Sequence, residues 1–221
     1  MDGPGTMTWE EFVDNAEKLV RLSDEISDHW KFPGDKALPG QAYLTRQEKL
    51  FVPIDHPMDD ERLEDGLNIE CDDEKWCEEL NEHRDPYEYP VVKERPLIIE
   101  HHVLWSMSYS VPVIYFNGWK SDYPGINPVS VEIAQKLLET DKLAYNELSQ
   151  AIHPLLGRPF LHLHPCGSPE LLRSVAQSTN KLVSWLSAVA PAALKLRLRS
   201  EYFYLTNAAR GGDKDNAEDG R

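Results

Sequence analysis

The chain has 221 residues, a formal net charge of −15 at pH 7 and 41% hydrophobic residues, among them six Trp and nine Tyr. That length supports one domain with a substantial core and no need of covalent staples. The negative charge disfavours nucleic acid and anionic lipid as partners, and no apolar run reaches the roughly 18 residues that suggest a membrane span.

The charge is concentrated. Between residues 55 and 94 there are 16 acidic residues against 4 basic ones, which accounts for most of the excess. The stretch is poor in large apolar residues and ends among prolines, so it is expected to be a solvated insertion between structured parts; a docking surface for a basic partner is the sharper alternative. Deleting roughly residues 59–85 should then leave the fold intact. The first ten residues carry neither a secretory nor an Arg-rich transit pattern. Three cysteines, Cys71, Cys77 and Cys166, fit a reducing compartment better than a disulfide framework. A cytoplasmic location is therefore expected.

Across residues 8–30, Trp9, Phe12, Val13, Ala16, Leu19, Val20 and Ile26 recur at three- and four-residue steps, and Thr8 with Glu11 forms a capping box. The spacing predicts an amphipathic helix. Its other face is acidic, so it is expected to pack on a core rather than on anionic membrane. Residues 41–52 alternate as a strand, and after the acidic insertion residues 97–117 resume with β-branched and aromatic residues, predicting two further strands. Pro112 marks a strand start, edge or bulge. Asn117-Gly118 and Tyr123-Pro124-Gly125 are turn signals, after which residues 129–148 show helical spacing. A short extended run at 160–164 precedes Ser168-Pro169-Glu170, which predicts a helix capped by Ser168 with proline at its first position. Helical spacing continues over 171–194, with breaks near Ser178 and at Pro191. From Asn207 the tail is polar and expected to be disordered. The expected organisation is a single domain over 1–206, with the insertion at about 55–94 and a tail at 207–221. Its class is α/β (α+β), an antiparallel sheet with one buried face, flanked by an N-terminal helix and C-terminal helices.

A nucleophilic thiol must be accessible and partly ionised, and the start of a helix favours the thiolate. Cys166 stands just ahead of a predicted helix, with His164 two residues before it and Gly167 leaving room for an incoming carbonyl, an arrangement suited to acyl transfer. Buried packing is the plainer alternative for a lone cysteine after a strand. Cys71 and Cys77 lie among acids that oppose ionisation, and their spacing is not that of a zinc site. His153, His162, His164 and Cys166 make a metal site conceivable, although Pro165 should turn Cys166 away from the histidine face. A papain-like protease shares the Cys and His inventory, but no such signature surrounds Cys166.

The run His153-Pro154-Leu155-Leu156-Gly157-Arg158-Pro159-Phe160, followed by Leu163-His164-Pro165-Cys166, resembles the autophagy ubiquitin-like-conjugating enzymes. Two further blocks agree with it. One runs from His102-Val103-Leu104-Trp105-Ser106 into Ser108-Tyr109-Ser110-Val111-Pro112-Val113-Ile114-Tyr115-Phe116, and the other is Ser184-Trp185-Leu186-Ser187 with Val189 and Pro191. The likeness covers about residues 100–205 and leaves out the acidic insertion. It implies a ubiquitin-conjugating-like core in which Cys166 takes the C-terminal glycine of a modifier, autophagy-related protein twelve, from an activating enzyme, autophagy-related protein seven. Cys166 would then pass the modifier to a lysine of autophagy-related protein five.

A lipid-directed sister branch shares the His-Pro-Cys motif but reaches membrane through an amphipathic N-terminal segment. The acidic helix and the Ser-Trp-Leu-Ser block favour the protein-acceptor branch. A non-catalytic module of the same fold is a further alternative. Such acyl transfer needs no metal or cofactor, only orientation of the amine, loss of its proton and stabilisation of the oxyanion. The oxyanion donor is unassigned. His164 is expected to support the site or to shape its turn, while Tyr109 or Trp105, on the neighbouring strand, helps to place the lysine or simply packs.

Overall fold

The computed structural model describes residues 3, 5–53, 94–137, 148–194 and 196–207. The acidic insertion up to residue 93, Cys71, Cys77 and the tail beyond Asn207 lie outside the described residues.

The N-terminal helix α1 (Trp9–Glu25) starts where the capping box places it. Thr8 Oγ1 accepts the Glu11 N–H at 3.1 Å, and the Glu11 carboxylate accepts the Thr8 N–H at 3.0 Å. Its apolar stripe of Trp9, Phe12, Ala16 and Leu19 is buried. The helix stops at Glu25, short of Trp30, because the chain turns through Ser27 and His29, both in the left-handed region. Trp30 is then buried in an extended segment that bridges Thr45 through Lys31.

The sheet has five antiparallel strands, β1 (Tyr43–Pro53), β2 (Glu94–Ser106), β3 (Val111–Trp119), β4 (Leu148–Ile152) and β5 (Pro159–Leu163), in the order β1-β2-β3-β5-β4. β1 and β2 pair without a break from Tyr43↔Leu104 to Pro53↔Glu94, so the acidic insertion joins two residues that are register partners. β5 meets β3 only at Tyr115↔His162 and Phe116↔Leu161. That limited pairing explains how Pro112 is accommodated. It is the second residue of β3, and the missing N–H falls where β5 does not reach.

Side chains alternate across the sheet. Ile99, Val103, Ile114 and Phe116 join one core with α1, the short helix α3 (Ser168–Ser174) and α4 (Lys181–Val189). The opposite set on the paired strands, His102, Tyr115 and His162, carries rings instead.

Three expectations are corrected. Asn117-Gly118 is not a turn but part of β3, and Gly118 is there for space. A Cβ would lie 2.9 Å from Val129 Cγ2 and 3.1 Å from Leu194 Cδ1. Helical spacing over 129–148 yields only α2 (Val131–Leu137) within the described residues, and Leu148 opens a strand that lacks β-branched enrichment. Ser168 is not a cap. Gly167 takes that position without a side-chain bond, while Ser168 is buried, donating to the Pro112 carbonyl at 3.3 Å and accepting from the Trp185 indole at 3.1 Å. The breaks beyond it follow the residues. α3 ends at Ser174, Asn180 caps α4 by accepting the Val183 N–H at 2.9 Å, and Pro191 sits in a 3₁₀ turn.

Candidate active site around Cys166

Cys166 is a free, exposed thiol. It is carried by a 3₁₀ turn, Pro165–Gly167, that runs directly into α3. The turn is shaped by His164, whose Nδ1 accepts the Cys166 N–H at 3.2 Å. This is the shaping role anticipated for a structural histidine, and it leaves the His164 proton on Nε2 when the ring is neutral. Ser168 then ties the same turn to β3 and α4 through Pro112 and Trp185.

Of the other candidates, Tyr109 is half exposed, with its ring centroid 6.2 Å from that of His164. It stands on the 107–110 turn and not on a strand. Trp105, near the end of β2, donates its indole N–H to the Met7 carbonyl at 2.7 Å and packs against Trp9. It is anchored toward the core, which was its plainer reading. All three aromatic positions nonetheless line one cavity of about 410 Å³ on the ring-bearing side of the sheet, together with Leu104, Met107, Val113, Tyr115, Leu155, His162 and Pro165. Cys166 follows directly on the His164-Pro165 wall of that cavity.

Sequence reasoning missed the support behind this cavity. Glu100, His102 and His153 form a hydrogen-bonded chain. His153 Nδ1 accepts the N–H groups of Leu155 and Leu156, each at 3.2 Å, so its own proton lies on Nε2 and is donated to His102 Nδ1 at 3.0 Å. His102 therefore carries its proton on Nε2 and donates to the Glu100 carboxylate at 3.2 Å, which also pairs with Arg158 at 3.1 Å. Every tautomer in the chain is set by the two amides at its start.

The network is packed among Tyr43, Tyr115 and Phe160, with centroids 5.0–5.3 Å from the His153 ring. Burial holds His153 down at about 4, and the neighbouring His102 and Arg158 charges act in the same direction. Burial pushes the Glu100 carboxyl up, but the His102 bond and the Arg158 charge outweigh it and leave its pKa lowered. His162 stacks on Tyr115 and meets Ser149 Oγ at 3.0 Å. Its pKa is lowered chiefly by burial. The signal that would have found this layer is the shared parity of residues 100 and 102 on one strand and 160 and 162 on another.

The metal alternative gains nothing from this geometry. Among the described residues no group of three or more His, Cys, Asp or Glu side chains is placed to hold an ion.

Comparison with known proteins gives the family. The model of the family described as autophagocytosis associated protein, active-site domain, matches residues 11–197. The chain is 31% identical to the ubiquitin-like-conjugating enzyme ATG10 of Arabidopsis thaliana over 169 residues, covering 67% of this chain and 70% of that protein. The human protein of the same name is 34% identical over 105 residues, 42% of this chain and 46% of its own length. That of Dictyostelium discoideum is 29% identical over 116 residues, 43% and 50% respectively. The chain thus spans about half the length of the latter two.

Proposed function

This chain belongs to the autophagocytosis-associated active-site family, and from that membership we infer that it is a ubiquitin-like-conjugating enzyme of autophagy whose acceptor of the modifier is Cys166. The observation that carries the assignment is the exposed thiol held on the turn at the mouth of a cavity.

The reaction has two steps. The Cys166 thiolate attacks the glycyl thioester on the activating enzyme, the bond from the carbonyl to the enzyme's sulfur breaks, and that sulfur leaves as thiolate. A lysine amine of the acceptor protein, having lost a proton, then attacks the new thioester and releases Cys166 as an isopeptide bond forms. In this reading His164 supports the site by shaping the turn, its Nδ1 accepting the Cys166 N–H. On the same reading Tyr109, half exposed beside His164, contacts an approaching lysine, and Trp105, held by Met7 and Trp9, lines the same cavity. In this reading the modifier is autophagy-related protein twelve, its activating enzyme autophagy-related protein seven and the acceptor autophagy-related protein five, all in the cytoplasm.

A protein acceptor is favoured over lipid because the apolar stripe of α1 is occupied within the core and is not available to enter a membrane. Among the described residues no helix is long and apolar enough to cross one.

The test is a reconstituted reaction with activating enzyme, modifier and ATP. Wild type should give a reductant-sensitive adduct, and Cys166→Ser one that survives reductant but not alkali. Absence of the first, or a reductant-sensitive adduct on Cys166→Ser, refutes the assignment.

A further inference from the structure

The turn that carries Cys166 has left the sheet. β5 pairs with β3 no further than Tyr115↔His162 and with β4 no further than Leu148↔Leu163, and residues 164–167 lie beyond both ladders. Two bonds shape the turn from within, the Cys166 N–H to His164 Nδ1 at 3.2 Å and the Ser168 N–H to the Pro165 carbonyl. A bond inside a turn fixes its shape but not its place on the molecule.

Place is supplied two residues after the thiol. The Trp185 indole N–H can only donate, and it donates to Ser168 Oγ at 3.1 Å, which leaves the hydroxyl proton for the Pro112 carbonyl at 3.3 Å. Both bonds therefore have a fixed direction, from indole to hydroxyl to carbonyl. Trp185 lies on α4 and Pro112 on β3, and Ser168 and Trp185 are each 2% exposed. Two residues of chain span at most about 7 Å, so an anchor at Ser168 limits where Cys166 can stand.

A core built for stability alone has no need of this pair. Burying an indole N–H and a hydroxyl costs desolvation that an apolar pair would avoid, whereas a fully satisfied polar network specifies one arrangement. Its location suits such a use. Acyl transfer between two proteins requires sulfur, carbonyl and amine in one geometry, and a displacement of about 1 Å can cost about 100-fold in rate. Reaction of an exposed thiol with a small reagent makes no such demand.

We propose that Ser168, oriented by Trp185, is a positioning residue for acyl transfer, its hydroxyl holding the Cys166 turn against β3 so that the thioester carbonyl meets the attacking amine. The proposal rests on the thioester reading above and adds to it a residue that touches neither modifier nor acceptor. In the step concerned the neutral lysine amine forms the carbon–nitrogen bond, the carbonyl–sulfur bond breaks with its electron pair on Cys166, and the proton of the amine passes to solvent.

The experiment uses the full chain, loaded with modifier by the activating enzyme and ATP and then chased in a single turnover with increasing acceptor protein. The limiting rate and the half-saturating acceptor concentration are measured at a temperature where circular dichroism shows every variant folded. Alkylation of unloaded Cys166 by iodoacetamide is read by mass spectrometry with peptide mapping, which separates it from Cys71 and Cys77. Ser168→Ala should lower the limiting rate about tenfold, with half-saturation and alkylation at wild-type values. Trp185→Phe keeps a ring in the core and removes the donor, and should lower the rate about threefold. The double variant should be no slower than Ser168→Ala, as one chain of bonds requires. Ser168→Thr keeps the hydroxyl and should transfer within about twofold of wild type, although its added methyl lowers the melting temperature.

A wild-type limiting rate in Ser168→Ala, with only the melting temperature reduced, overturns the proposal and makes the residue structural. So does a Ser168→Thr variant as slow as the alanine one, or alkylation that slows in step with transfer. Each of these leaves the thioester reading standing. A wild type that takes no modifier onto Cys166 overturns both.

Discussion

His153 is completely buried, accepts two amide protons and donates its own to His102, so truncating it should be felt in three ways at once. His153→Ala leaves a void between Tyr43, His102, Tyr115 and Phe160. For a ring smaller than phenylalanine that is about 2 kcal/mol. His102 Nδ1, in a residue only 1% exposed, loses its donor. An orphaned buried acceptor costs about 1–2 kcal/mol. The Leu155 and Leu156 amides can recover partners from water, because Leu156 is exposed, and add less than about 1 kcal/mol. The sum is about 4 kcal/mol, a large share of the roughly 5–15 kcal/mol typical of a domain.

Urea unfolding reads it directly. With a slope near 2 kcal/mol/M, the midpoint should fall by about 2 M without a change in slope. His153→Asn is the control, since its Oδ1 can take the place of Nδ1. It should recover roughly half of the loss and, unlike alanine, keep the Leu155 and Leu156 amides protected from hydrogen exchange. A cost below about 1 kcal/mol for alanine, or unchanged exchange at those amides, would show that the histidine chain does not hold the cavity wall.

Acid should weaken the fold through His101 and His153, whose burial holds each at about 4 against an ordinary 6.5. Between those values the unfolded chain binds protons that the folded one refuses, so stability is complete above 6.5 and falls toward pH 4, by up to about 1.4 kcal/mol per pH unit for each histidine. Urea midpoints at pH 7.5, 6 and 5 test this, and His101→Gln should flatten the curve. Ser168→Ala deprives the Trp185 indole of its acceptor in the core and should cost about 1–3 kcal/mol in the same assay. Asp28→Ala removes the nearly buried carboxylate that pairs with Arg46 at 3.0 Å and accepts the Tyr202 hydroxyl at 2.8 Å, leaving Glu48 at 3.3 Å as the remaining carboxylate on Arg46, and should cost about 3 kcal/mol. Arg199→Ala removes a half-exposed partner of the same carboxylate and should cost under about 1 kcal/mol.

Local chemistry was readable where it acts within a few residues. The Thr8–Glu11 box set the start of α1, Pro165 turned Cys166 off the histidine face, and the break near Ser178 and Pro191 bounded the C-terminal helical turns, because caps and prolines depend only on neighbouring backbone. The ordered motif blocks carried the family for the same reason. Edge strand β4 and Gly118 were misread because their conformations are imposed by distant partners, β5 for one and Val129 with Leu194 for the other. Ser168 looked like a cap until Pro112 and Trp185 claimed its hydroxyl.

Cys166 was identifiable as a nucleophile candidate from its neighbours in the chain. Its surroundings were not. The His102–His153 pair joins residues 51 apart in sequence, and the cavity wall draws on segments from Gly40 to Pro165. Such a site exists only once strand register has brought one face of β2, β3 and β5 together, and register is decided by the packing of the whole sheet rather than by any one stretch of sequence.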